Sequence, residues 1–160
     1  MKFDPEERFV RGVEWATGDL TANLAEKLIC AFISTCAPKN LMGVFVVVER
    51  TDGDSQDGCF IQFMISNSES ILSEIVGERY CNELKGGWSE RGAILSTHGW
   101  ALDDAIGNFQ KTWRLRNANP RTRGDRTAEE IAREAFSSFC EAFGIPDSAQ
   151  WSMHYTGAYD

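Results

Sequence analysis

The stretch that decides the fold is GVFVVVER, which runs from Gly43 to Arg50. Its β-branched and aromatic residues favour a strand, and the apolar run predicts that this strand is buried on both faces or nearly so. A polar turn over residues 51–58 follows, and two further strand patterns cover Cys59–Ile65 and Ser70–Val76, with a turn over residues 66–69 between them. Consecutive strands joined by turns predict an antiparallel meander.

Helical patterns lie on both sides of this meander. Thr127 and Glu130 form a capping box ahead of an apolar stripe that ends at Gly144. At the start of the chain, Asp4 and Pro5 precede two acids, which is typical of a helix start. The helices predicted outside the meander cover residues 4–16, a second segment that begins near Asp19 or Thr21 and ends before Pro38, and residues 89–99 and 127–143. The strands predicted there cover residues 108–116 and 151–155.

Length and composition indicate one globular domain over residues 1–160, since 42% of the residues are hydrophobic and 25% are charged. We expect N-terminal helices over residues 1–38 and a core over residues 43–155. The longest strongly apolar run, Leu41–Val48, is far shorter than the ~20 residues of a membrane span, and the acidic start has no secretory-signal pattern. These features predict a cytoplasmic α+β protein, with a twisted antiparallel sheet packed by amphipathic helices and no membrane partner.

The charge distribution argues against nucleic acid as a partner, because the net charge of −8 opposes binding to a phosphate backbone. Residues 111–126 are an exception: six bases and one acid give them a net charge of +5, which leaves −13 for the remainder. This pattern is more typical of a solvated strand edge and loop than of an anion site. An anion-binding regulator that uses residues 114–126 stays open as a third interpretation.

Motifs for catalysis or metal binding are sparse. The spacing of Cys30 and Cys36, with no histidine nearby, does not fit a zinc site. Residues 52–58 lack the turn glycine of a calcium loop, so we interpret them as a hairpin turn. Only His98 and His154 could act as an imidazole base. We therefore predict no catalytic residue, no metal and no cofactor, and five reduced cysteines without a disulfide, although a Cys81–His98 pair stays conceivable.

Four large rings lie in or near turn-rich segments: Trp88, Trp100, Phe109 and Trp113. A Trp with a satisfiable N–H is a common anchor of recognition surfaces, so we predict that these rings bind a peptide. Phe109 and Trp113 lie on one face of an alternating stretch, and only one face of a strand can contact a client. The alternative is that the rings cover the sheet beneath the helices.

A series of short motifs, in a fixed order, resembles the TY-Chap superfamily, a group of bacterial domains related to type III secretion chaperones and YbjN-like proteins. The similarity covers residues 43–155. The motifs are Cys59-Phe-Ile-Gln-Phe63, the strand Ile71–Val76 with Glu74 inside it, His98-Gly99-Trp100, Asn108-Phe109-Gln-Lys-Thr-Trp113, and an amphipathic helix that ends Ala142-Phe143-Gly144-Ile145.

This resemblance implies a chaperone-like α+β fold and a non-enzymatic protein that binds a polypeptide client, often as a homodimer. An exposed sheet edge could accept such a client by strand addition. The alternative function is a small-molecule sensor or an enzyme whose site lies near Trp100, Glu74 and His98, with Glu78 or Cys81 as further candidates. A deep pocket with two converging titratable groups would favour that alternative, and a shallow apolar groove would favour the chaperone.

Overall fold

The computed structural model describes residues 4–52, 59–81, 86–116 and 124–157. Within these ranges the chain forms four α-helices and a seven-stranded antiparallel sheet, which confirms the predicted α+β fold. The elements in chain order are α1 (Pro5–Arg8), β1 (Glu14–Leu20), α2 (Ala22–Cys36), β2 (Phe45–Arg50), β3 (Phe60–Asn67), β4 (Ser70–Ile75), a 3-10 turn (Glu78–Tyr80), α3 (Trp88–Thr97), β5 (Ala101–Asp103), β6 (Asn108–Arg114), α4 (Ala128–Phe143) and β7 (Trp151–Thr156).

The predicted meander forms the middle of the sheet, whose strand order is β1-β7-β2-β3-β4-β6-β5. Val46 of β2 lies opposite Phe63 of β3, and Phe63 lies opposite Ser73 of β4. All three side chains are fully buried, so this row faces the core. Residues 53–58 of the predicted polar turn lie outside the described residues.

The prediction of one helix over residues 4–16 is wrong, because the N-terminal segment forms a short helix and then a strand. Asp4 does cap a helix, since its Oδ1 accepts from the Glu6 N–H at 3.0 Å, but this helix ends at Arg8. Gly12, with a φ of 85°, then turns the chain into β1. Local capping signals predict where this helix starts, but they do not carry the distant pairing of β1 with β7, which decides where it ends. The N-terminal region therefore contributes a strand to the sheet.

The predicted last strand, β7, lies inside the sheet, between β1 and β2. Its alternation places Trp151, Met153 and Tyr155 on the core face, where all three are fully buried. The Tyr155 hydroxyl donates to the Val10 carbonyl at 2.7 Å. The end of the described chain is thus held on both sides by distant segments.

Two long helices cover the core face of the sheet, as their apolar stripes predict. Thr21 caps α2, and the capping box of Thr127 and Glu130 begins α4. Phe32 of α2 packs against Tyr155, and Phe136 of α4 packs edge-on against Trp151 with ring centroids 4.8 Å apart. The helices therefore join β1 and β7 to the meander.

The short helix predicted at residues 89–99 is α3, which follows Gly87 and ends before Gly99. Both glycines have a positive φ, of 77° and 85°. A side chain at Gly99 would lie 3.2 Å from Lys111 Nζ, so glycine satisfies both the turn and the close approach. The strand β5, which follows directly, is an edge strand that the sequence analysis does not predict.

The opposite face of the sheet, here called the open face, carries no helix in the ranges described. Phe45, Met64 and Leu72 form one row across β2, β3 and β4 on this face, and Val47 and Gln62 belong to the next row. These side chains are half-buried, whereas their neighbours on the core face are buried. β2, predicted to be buried on both faces or nearly so, is thus fully buried on its core face and half-buried on the open face, because the described helices pack on one side.

Candidate functional site

The structure places three of the four predicted peptide-binding rings in the core. Trp100, Phe109 and Trp113 are 3%, 7% and 4% exposed. Phe109 and Trp113 share a face of β6, as the alternation predicts, and it is the face that the helices cover. Only Trp88 is half-buried, where it packs edge-on against Phe143. At this exposure the three core rings cannot supply the main contact surface, so most of a peptide site has to come from residues beside them.

Trp113 and Trp100 differ in how their indole N–H groups are satisfied. Trp113 Nε1 donates to Ser73 Oγ at 2.8 Å, and Ser73 Oγ donates to the Lys111 carbonyl at 2.9 Å. Trp100 packs edge-on against Trp113, with ring centroids 6.4 Å apart, and its buried Nε1 has no hydrogen-bond partner in the structure described. Trp113 therefore belongs to a buried polar network, whereas Trp100 contributes through packing.

A cavity of about 370 Å³ lies between α3, α4 and β6, with His98, Lys111, Trp113 and Glu134 in its lining. Lys111 Nζ donates to the His98 carbonyl at 2.5 Å and lies 4.0 Å from the centroid of the Trp113 ring. Burial lowers the pKa of Lys111. Glu134 is paired with Arg126 at 2.9 Å. The titratable groups of this cavity are therefore engaged with other groups of the chain.

The sheet separates the residues of the alternative sensor or enzyme site. Glu74 is on the open face, where it accepts from Gln110 Nε2 at 2.9 Å. Trp100 packs on the core face against Trp113. His98 follows α3 on that same side, and its Nε2 lies 2.9 Å from Glu141 Oε2. The structure thus does not bring Glu74 together with the other two residues.

Thiol and metal chemistry gain no geometric support from the described residues. Burial raises the pKa of Cys36 and of Cys140 to about 12, and burial also raises the pKa of Cys30. A nucleophilic thiol requires the opposite shift. Cys81 is buried, and no group of three His, Cys, Asp or Glu side chains in the described ranges is placed to hold a metal ion.

In the described part of the basic segment, Arg114 and Arg126 form ion pairs, and Arg116 donates to the Asp125 carbonyl. Arg114 lies 3.4 Å from Asp125 and 3.6 Å from Glu69, and Arg126 pairs with Glu134. Residues 117–123, which include two further arginines of the predicted anion site, lie outside the described residues. The arginines that the structure does place therefore stabilise the connection between β6 and α4.

A groove of about 500 Å³ lies where β5 meets the 3-10 turn and the start of α3. We call it the β5 groove. Its apolar lining comes from Trp88, Leu102 and Phe109, so it contains two of the four predicted rings. Leu102 is 51% exposed, on a strand whose outer side has no neighbouring strand in the part of the chain that is described. The remaining lining residues are Glu78, Arg79, Ser89, Asp104 and Gly107.

Hydrogen bonds between side chains and main-chain groups hold the walls of the β5 groove together. The Arg79 guanidinium donates to the carbonyls of Asp104 and Ala105 at 3.1 and 3.2 Å, which ties the 3-10 turn to the β5–β6 connection. The Gly77 N–H donates to Asn108 Oδ1 at 3.0 Å. In the connection itself, Asp103 Oδ1 accepts from the N–H of Ala105 at 3.0 Å. These hydrogen bonds fix the 3-10 turn against the β5–β6 connection.

Gly77 allows the closest backbone approach in this region, and its substitution tests how the groove is built. A Cβ at position 77 would lie 1.8 Å from the Gly107 carbonyl oxygen. We expect Gly77→Ala to reduce the free energy of unfolding by about 3 kcal/mol through this overlap, which lowers the melting temperature by roughly 6–12 °C. Gly18→Ala is the control, because no atom lies within 4 Å of its added Cβ. An equally small effect of both substitutions would contradict this construction.

Sequence reasoning missed the exposed apolar residues around the groove. Tyr80 and Ile106, each next to a lining residue in the chain, are 55% and 42% exposed. Together with Leu102 they are three of six exposed large hydrophobic residues among those described. The alternation of Trp100 to Asp103 ahead of a turn at residues 104–107 was the available signal for β5.

The fold and site define an α+β protein with a one-sided antiparallel sheet and an apolar groove at one sheet edge. No helix in the described ranges combines the length and hydropathy that crossing a bilayer requires. Comparisons with protein-family models, with curated proteins and with solved structures found no match to this chain.

Proposed function

We propose that this protein is a non-enzymatic module that binds an extended segment of polypeptide in the β5 groove. The observation that supports this function is an exposed leucine, Leu102, on an edge strand beside an apolar groove. An edge strand offers main-chain groups to an added strand, and a neighbouring pocket receives alternate side chains. The resemblance to the TY-Chap superfamily supports the same function and remains a proposal.

The geometry of the groove suits a short segment. β5 has three residues, so strand addition there supplies only a few main-chain hydrogen bonds. Most of the affinity would then come from an apolar side chain placed against Leu102 and the Trp88 ring. That ring is held in place, since it packs against Phe143 and lies 4.8 Å from the guanidinium carbon of Arg91. A homodimer, a bacterial source and a cytoplasmic location belong to the same proposal.

Leu102→Asp tests the proposed site. A display library of random ten-residue peptides is selected on the wild-type protein, and the enriched peptides are measured on the variant. We expect Leu102→Asp to weaken their binding at least tenfold, because a carboxylate replaces the apolar contact. The melting temperature should hardly change, since Leu102 is half exposed and substitutions at such positions cost about 0.5 kcal/mol or less.

Leu24→Asp is the matched control, because Leu24 is 47% exposed on α2, an element that does not line the groove. It introduces the same charge and removes the same side chain. We expect peptide binding to Leu24→Asp to equal that of the wild type. Failure to enrich any peptide, or equal loss in both variants, would overturn the proposed function.

A further inference from the structure

The acidic and basic side chains of the β5 groove differ in how many partners they already have. The carboxylates of Glu78 and Asp104 are exposed, and neither has an ion-pair partner within the described part of the chain. Among the lining residues that the structure describes, Arg79 is the one cation, and it directs two of its nitrogens to main-chain carbonyls. A ligand in the groove therefore meets two exposed carboxylates and one guanidinium, two nitrogens of which already donate to main-chain carbonyls.

The N-terminal end of α3, which lies at the groove, does not reverse the sign of the charge there. α3 begins at Trp88, and Gly87 provides no side-chain cap, so the positive end of its dipole points toward this region. That end corresponds to about half a unit charge and acts only over the first turn. Glu90 and Arg91, in the same turn, carry opposite charges, and the Arg91 guanidinium lies 4.8 Å from the Trp88 ring centroid and donates to the Gly86 carbonyl. The described lining residues, Glu78, Asp104 and Arg79, carry a net charge of −1, which has the same sign as the net charge of −8 on the whole chain.

From this arrangement we infer that the β5 groove selects peptide segments in which a lysine or arginine stands next to the apolar side chain that packs on Leu102. The inference rests on the proposed function, and it adds a specificity that the apolar lining alone does not give. Glu78 and Asp104 are the specificity-determining residues. They act through charge complementarity, which sets partner choice and association rate more than total affinity.

Three peptide pools test this inference. Each pool is ten residues long and randomised outside a central pair that reads Lys-Leu, Gln-Leu or Glu-Leu, and binding is measured by fluorescence anisotropy. We expect the Lys-Leu pool to bind about five- to tenfold more tightly than the Glu-Leu pool at low salt, with Gln-Leu between them. The difference should shrink as the salt concentration rises from about 0.05 to 0.5 M, because exposed charges are screened.

A double variant, Glu78→Lys with Asp104→Lys, should reverse the order of the three pools. The control is Glu7→Lys with Asp147→Lys, which changes two exposed acids outside the groove and alters the net charge by the same amount. It should keep the wild-type order. Equal binding of all three pools, or reversal in the control, would overturn the inference and leave the proposed function standing. Binding of none of the pools would overturn both.

Discussion

Trp113→Phe is expected to reduce the free energy of unfolding by about 3 kcal/mol, and Trp100→Phe by about half as much. Both substitutions shrink a buried ring and leave a similar cavity. Only the Trp113 indole donates a hydrogen bond, to the fully buried Ser73. Its removal leaves the hydroxyl of Ser73 without one of its partners in an environment where such a loss costs roughly 1–3 kcal/mol.

Chemical denaturation of the two variants measures this difference directly. Peptide binding to the β5 groove, measured below the melting transition, should be retained in both, since neither ring is exposed. Equal losses of stability would show that the Trp113–Ser73 hydrogen bond contributes nothing. Loss of binding with full stability in Trp113→Phe would restore Trp113 as a peptide anchor and contradict its place in the core.

Removal of all residues after Gln150 is expected to abolish cooperative folding. The deletion takes β7 out of the interior of the sheet, which leaves β1 without its partner and β2 with an open edge. It also removes Trp151, Met153 and Tyr155, all fully buried. Losing one large buried side chain costs about 2–5 kcal/mol, and three of them approach the 5–15 kcal/mol that stabilises a typical domain.

The control for this deletion is His154→Ala in the same strand. His154 is exposed on the open face, where its Nε2 lies 2.6 Å from Glu14 Oε1, and an exposed pair of this kind contributes at most about 1 kcal/mol. We expect a single cooperative thermal transition in His154→Ala and none in the shortened chain. A cooperative transition in the shortened chain would contradict the central position of β7.

The parts of the fold that depend on local patterns could be predicted from the sequence. The capping box at Thr127 and the apolar stripe after it define α4, and the runs at residues 43–76 define the meander. The start of the chain shows the limit of such patterns. Asp4 and Pro5 do begin a helix, but its end depends on the pairing of β1 with β7, about 140 residues away in sequence. No local pattern carries that information.

The candidate site divides in the same way. Alternation along β6 correctly placed Phe109 and Trp113 on one face, but it does not say which face the helices cover. The prediction chose residues for their large rings, and three of these four rings are buried in the core. Leu102 was missed because its exposure depends on the edge position of β5, and Arg79 because its hydrogen bonds to residues 104 and 105 depend on the turn between β5 and β6.

An NMR titration locates peptide binding at the β5 groove residue by residue. Uniformly ¹⁵N-labelled protein is titrated with a single peptide from the Lys-Leu pool. We expect the largest shifts at the backbone amides of Ala101, Leu102 and Asp103 and at the Trp88 indole, with small shifts on the open face at Gln62 and His154. Largest shifts on the open face, or no shifts at saturating peptide, would contradict binding at this groove.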